Sequence, residues 1–245
     1  MIKKNTKPSE KNAEQQQPVV AFLLELEYML FPGRQLAFEA YRNVLKKHSI
    51  ALDEMSYARY CLKRNIAMNL KGLFTAQGKK CPDEKGVEET ALEIAGRFSE
   101  SLADSAAQPA NSLYEFLHKA DEQNIKIGLL SFLAEEEAGK LTSRLQFKNA
   151  PALLVMKKKA DDLPTPDAWL SLLKMMAIDP RSSFAFINSA TAHRSALAVG
   201  MRCAVIPDNF TSWQDFSGAD LVLENTADLK ISDLLAILSP AHYRK

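Results

Sequence analysis

Ala21-Phe-Leu-Leu-Glu-Leu-Glu-Tyr-Met-Leu30 is an apolar run that ends in two carboxylates spaced i and i+2. The near-continuous apolar stretch from Val19 to Leu26 reads as a strand buried on both faces, as in a parallel sheet. Side chains two apart on a strand share a face, so Glu25 and Glu27 are expected side by side. Open α/β sheets bind ligands beyond the carboxyl ends of their strands. The two acids therefore stand where chemistry is expected, although solvated carboxylates at a strand end are the plainer reading of the residues alone.

Outward from this strand, the chain divides. Residues 1–17 are polar and rich in Lys, Gln and Asn, and are expected to be disordered. Beyond Arg34 the pattern is helical. Ala37, Tyr41, Val44 and Leu45 recur at helical spacing, as do Val87, Ala91, Ile94 and Phe98, with a polar break from Gly78 to Gly86. From Pro109 helices and strands alternate, with strands expected at Ile125–Ser131, Ala152–Met156, Phe184–Ile187, Cys203–Ile206 and Leu221–Leu223. Thr165-Pro166 marks a helix start, with Thr as N-cap and Pro at the first helical position. Gly200 closes the helix that begins near Ala190, and a last helix spans Ile231 to Leu238. Such alternation means an α/β fold, a Rossmann-like parallel sheet sandwiched by helices. An all-helical cap, residues 34–108, is inserted into a core made of residues 18–33 and 109–245. A block inserted above a strand's carboxyl end would cover the site there.

The 245 residues carry a net charge of +1, which favours neither nucleic acid nor an acidic membrane. No apolar run reaches membrane-spanning length, and no signal peptide is visible. Cys61, Cys81 and Cys203 form neither a zinc spacing nor a disulfide framework, so a reducing cytoplasm is expected, with Cys203 a buried core thiol.

Several segments, in order, resemble the haloacid dehalogenase superfamily, specifically its helical-cap branch with β-phosphoglucomutase and small sugar-phosphate phosphatases. Asn188-Ser-Ala-Thr-Ala-His-Arg-Ser-Ala-Leu-Ala-Val-Gly-Met201 follows that branch's Asp-Ser-x-x-Gly-x-x-Ala-Ala-x-x-Ala-Gly-Met segment without a gap. Leu163-Pro-Thr-Pro-Asp167 follows Lys-Pro-x-Pro-Asp, and Asp215–Leu223 and the final helix are similar too. The first motif, Asp-x-Asp-Gly-x-x-x-Asp, is here Glu25-Leu-Glu27-Tyr28, with Pro32 at the last acidic position. Ser131 keeps the second motif's hydroxyl, but Phe132 replaces the Asn that often follows. Leu163 stands for the motif-three Lys, Asn188 for the motif-four Asp and Ala192 for its Gly.

The resemblance implies a catalytic set at Glu25, Glu27, Ser131, Leu163 and Asn188, most of it substituted. In the family the first Asp attacks phosphorus, the second is acid and base, and the Lys and hydroxyl hold phosphate. Mg²⁺ bridges the nucleophile, a main-chain carbonyl and the motif-four Asp. Phosphoryl transfer depends on positioning and charge stabilisation, and a misplacement of about 1 Å can cost on the order of 10²-fold. Glu25 and Glu27 are each one methylene long. Leu163 removes a cation. Glu25, Glu27 and Asn188 leave at most a weakened Mg²⁺ site. Tyr28 replaces a Gly, which is costly if φ > 0 is needed there.

The leading expectation is a catalytically impaired or inactive phosphatase-like protein that acts by binding or regulation. It would take a small-molecule ligand at the core–cap interface or a protein partner, with no nucleic acid and no membrane. The alternative is an atypical Mg²⁺-dependent phosphatase of a small sugar phosphate, with Glu25 as nucleophile or metal ligand. Lys157-Lys-Lys159 would then have to supply the missing cation. A glycosidase-type carboxylate pair is disfavoured, because two acids from one strand do not by themselves flank a sugar bond. For His193, anion binding at a helix start is weighed against plain packing, and the Trp169 and Met175-Met176 positions read as helix packing. Asp162, Asp167 and Asp208 read as capping or solvated acids.

Overall fold

The computed structural model describes residues 20–104, 109, 111–156 and 164–238. The tail at residues 1–17, Lys157–Lys159, Asp162 and Leu163 lie outside the described residues. Strand β1 (Ala21–Glu25) is followed by one π-helical turn, Leu26–Leu30. Four helices come next: α1 (Gly33–Leu45), α2 (Glu54–Tyr60), α3 (Ile66–Ala76) and α4 (Glu84–Ala103). The chain then alternates: α5 (Ser112–Glu122), β2 (Lys126–Ser131), α6 (Glu135–Ser143), β3 (Ala152–Val155), α7 (Pro166–Met176), β4 (Ser183–Ile187), α8 (Ala190–Ala198), β5 (Arg202–Val205), β6 (Leu221–Val222) and α9 (Ile231–Leu238).

Among the described residues the strands form one six-stranded sheet in the order β3-β2-β1-β4-β5-β6, every pairing parallel. Alternate residues of β1 serve opposite faces. Phe22 and Leu24 pack with Leu117 of α5, Leu141 of α6 and Leu234 of α9. Ala21 and Leu23 pack with Trp169 and Leu172 of α7 and Ala196 of α8. All of these are fully or nearly fully buried, which explains the unbroken apolar run of a strand covered on both sides. The sheet runs outward in opposite directions from β1 and β4. The crevice beyond their carboxyl ends is thus a topological switch point.

Helices α1–α4 share a separate core of Phe38, Tyr41, Val44, Leu70, Leu73 and Ile94, joined by Phe210 from the loop after β5. Asp53, Asn65 and Asp83 cap α2, α3 and α4, their side chains accepting from the N–H groups of Ser56, Met68 and Gly86. Thr165 caps α7 in the same way, as its Thr-Pro pair predicts. Ser99 of α4 donates to Glu137 of α6, one of the ties between the inserted helices and the sheet layer; within the core, Asn111 Nδ2 donates to the Met29 carbonyl at 2.9 Å.

Two local expectations need correction. β1 ends at Glu25, so Glu27 lies in the π-helical turn and not beside Glu25 on a strand. Tyr28 is absent from the described residues with positive φ, so it carries no left-handed strain. The tight element is instead Gly33, where a Cβ would lie 2.2 Å from the Glu27 carbonyl oxygen. No helix among the described residues is long and apolar enough to cross a membrane.

Candidate functional site

Glu25, Ser131 and Asn188 meet at the switch point because each ends or follows a strand that pairs with, or is, β1. Glu25 is the last residue of β1 and sits in register with Leu130, one before Ser131. Asn188 directly follows β4. All three are buried, and so is Glu27. Four of the five candidate positions thus lie in one locale; Leu163 lies outside the described residues.

What these groups do there differs from expectation. Glu27 turns its carboxylate onto the end of β2. Its Oε1 accepts from the Ser131 hydroxyl, from Phe132 N–H at 2.8 Å and from Leu133 N–H at 3.3 Å. A hydroxyl and two successive main-chain N–H groups form an anion cradle, and a side chain of the same molecule fills it. Glu27 Oε2 is buried with no hydrogen-bond partner.

Arg34, in the first turn of α1, fills the other half. Its Nε lies 2.6 Å from Asp208 Oδ2, and its Nη2 donates to Asn188 Oδ1 at 2.7 Å. The Asn188 amide donates in turn to the Tyr28 carbonyl at 2.8 Å. A third internal partner comes from the loop between α2 and α3. Arg64 Nη2 meets Glu25 Oε2 at 2.5 Å, where the Glu25 side chain is 2 % exposed. The Arg64 guanidinium carbon lies 3.5 Å from the Phe132 ring centroid and 4.2 Å from that of Tyr28. Burial pushes the Glu25 carboxyl above its ordinary value, while the Arg64 and Arg34 charges pull it back down. The N-terminus of α8 is also taken: Ser189 caps it, and Gln214 Oε1 accepts from Ala190 N–H at 2.7 Å.

The resemblance implies Mg²⁺ at Glu25, a main-chain carbonyl and Asn188. These residues do not fit it. The side-chain oxygen of Asn188 already faces a guanidinium, and a divalent ion beside Arg34 would meet like charge. Among the described residues no group of three or more His, Cys, Asp or Glu gathers to hold a metal.

The sequence reading missed Arg34, Arg64 and Asp208. Asp208 caps the following turn, as its reading as a capping acid expects, its Oδ1 accepting from Phe210 N–H at 2.9 Å; its Oδ2 in addition pairs with Arg34. The only visible signal was position: Asp208 closely follows β5 and Arg34 closely follows the first motif. His193 settles as packing. It is 1 % exposed, beside Phe216 at 6.0 Å, and burial lowers its pKa. Trp169 is fully buried and donates to the Ser195 hydroxyl at 2.9 Å. Cys203 is buried, its thiol pushed up to about 12 by burial.

No protein-family model matches the chain. The Bacillus subtilis protein YhcW, provisionally named a phosphatase, is 26 % identical over 140 residues, 57 % of this chain and 63 % of YhcW. Protein CbbY of Cereibacter sphaeroides is 33 % identical over 70 residues, 29 % of this chain and 30 % of that protein. The chain thus matches less than two thirds of the length of these curated relatives. Among solved structures, CbbY of Rhodobacter sphaeroides in complex with phosphate superposes with a TM-score of 0.70 at 19 % identity, covering 86 % of this chain and 96 % of that one. A β-phosphoglucomutase from Clostridium difficile gives 0.71 at 17 %, covering 92 % and 100 %. A haloacid dehalogenase hydrolase from Entamoeba histolytica gives 0.74 at 13 %, covering 89 % and 99 %. The parallel sheet and these likenesses together show that the chain has the fold of the haloacid dehalogenase hydrolases it resembles.

Proposed function

We propose that this protein is a non-catalytic member of the haloacid dehalogenase superfamily, a phosphatase scaffold retained for binding or regulation. The observation that carries this reading is the Glu27 carboxylate seated in the cradle of Ser131, Phe132 and Leu133. Where the resemblance puts a phosphoryl group, the chain puts its own anion. Arg34 likewise takes the amide that would face a metal, and Arg64 takes the acid that would attack. Glu25, Glu27, Ser131 and Asn188 each have an internal partner. The three cysteines are free, two of them buried, which fits a reducing cytoplasm as its setting.

The second reading is an atypical Mg²⁺-dependent phosphatase of a small sugar phosphate, using Glu25. Its support is the gathering of Glu25, Ser131 and Asn188 at one strand-end crevice, and neighbours such as CbbY crystallised with phosphate or with xylulose-(1,5)bisphosphate. A panel of sugar phosphates assayed with Mg²⁺ or Mn²⁺ separates the two. The expected result is no turnover above a protein-free control. Turnover that disappears in Glu25→Ala would establish the second reading and end the first.

A further inference from the structure

Arg64 lies in a cage. The Phe132 ring stands on one side of its guanidinium at 3.5 Å, the Tyr28 ring on another at 4.2 Å, and the Glu25 carboxylate forms the floor at 2.5 Å. Aromatic faces plus a carboxylate are the donor-free surroundings that hold planar organic cations. The walls are braced. Tyr28 stacks on Phe98 with rings 6.2 Å apart and 10° from parallel, Phe132 N–H is held by Glu27, and Glu25 ends the central strand. Both aromatic walls stand at positions where this chain departs from the pattern it resembles. Those departures remove the small residue and the amide and put two π-faces in their place.

Arg64 fills the cage incompletely. It donates one hydrogen bond to Oε2, while Glu25 Oε1 is buried and has no partner. An untethered guanidinium could donate to both oxygens, the paired geometry that carboxylates and guanidinium groups favour. Arg64 also sits in an interhelical loop with its side chain 18 % exposed, so it can leave without unfolding the helices on either side.

We propose that this cage is a binding site for a small guanidinium compound, with Arg64 as a resident occupant that the ligand displaces. The proposal rests on the non-catalytic, ligand-binding reading above. A tethered competitor lowers the apparent affinity by the fraction of molecules whose cage is vacant, so removing Arg64 should raise affinity.

The test is calorimetric titration of agmatine and methylguanidine, at matched ionic strength, into wild type, Arg64→Ala and Arg64→Ala/Glu25→Gln. Arg64→Ala is expected to bind agmatine at least tenfold more tightly than wild type does, and the double variant to lose at least tenfold of that. Should Arg64→Ala lose its native circular dichroism, Arg64→Gln takes its place. Should both unfold, agmatine titrated into wild type up to 50 mM decides, and an absence of binding there overturns the proposal. Agmatine binding no tighter to the variant than to wild type overturns it, and so does binding of inorganic phosphate in place of agmatine. If agmatine fails and sugar phosphates are still not hydrolysed, only the cage falls; hydrolysis would bring down the non-catalytic reading itself.

Discussion

Replacing Glu27 by Ala should empty the anion cradle and make it available to a free anion. In the native protein one carboxylate oxygen accepts from the Ser131 hydroxyl and from the N–H groups of Phe132 and Leu133. Hydrogen bonds to a charged group are worth about 1.5–3 kcal/mol each. Two offsets reduce their sum. The vacated space admits water to the exposed donors, and the unpartnered Glu27 Oε2 no longer has to be kept out of water. A net loss of about 2 kcal/mol follows. For a chain of this size that lowers Tm by about 4–8 °C. Glu27→Gln, which keeps an acceptor oxygen, should lose about half as much. The distinguishing measurement is scanning fluorimetry in 20 mM phosphate or sulfate. With a Kd of about 1 mM the anion would return about 1.8 kcal/mol to Glu27→Ala, while wild type, whose cradle is filled, should not shift. Equal stabilisation of both proteins would refute the reasoning, because it would put the anion somewhere else.

Gly33→Ala drives a Cβ to 2.2 Å from the Glu27 carbonyl oxygen and 2.9 Å from its carbon, both main chain, so urea denaturation should show a loss of about 3 kcal/mol. Gly128→Ala meets the flexible Met176 Sδ at 2.6 Å and should lose only about 1 kcal/mol; equal losses would mean the Gly33 approach is not held rigidly. Arg34→Met leaves Asp208 and Asn188 without their partner, and since Asp208 is 30 % exposed the cost should be about 2 kcal/mol, with a loss under about 0.5 kcal/mol speaking against the pair as a structural element. Burial holds the folded-state pKa of Glu25 above 4.5. Between 4.5 and that raised value the folded state binds more protons than the unfolded state, so this contribution to stability is full below 4.5 and is lost as pH rises through the folded-state pKa. Glu25→Gln has no such proton. Wild type should therefore gain on the variant as the buffer is acidified toward 4.5, and parallel stability curves across that range would contradict the assignment.

The sheet was legible because buried parallel strands and capped helices are local patterns. The apolar β1, the Thr165-Pro166 start of α7 and the Gly200 stop after α8 each carry their own signal, and each stands where it was expected. The meeting of Glu25, Ser131 and Asn188 was legible because strand ends are. Their partners were not. Arg34 and Asp208 are 174 positions apart, and Arg64 and Glu25 are 39 apart. An ion pair between distant parts of the chain leaves no period and no spacing in it. Glu27 was misread for a related reason. The apolar run does not show where the strand stops, and the turn that begins at Leu26 re-aims the carboxylate from beside Glu25 to the end of β2.

Crystals soaked in Mg²⁺ and inorganic phosphate test most directly whether the site is filled from within. The expected map shows the Glu27 carboxylate still bonded to Ser131, Phe132 and Leu133, and Arg34 still between Asn188 and Asp208. Phosphate in that cradle, with a metal ion shared by Glu25 and Asn188, would contradict it.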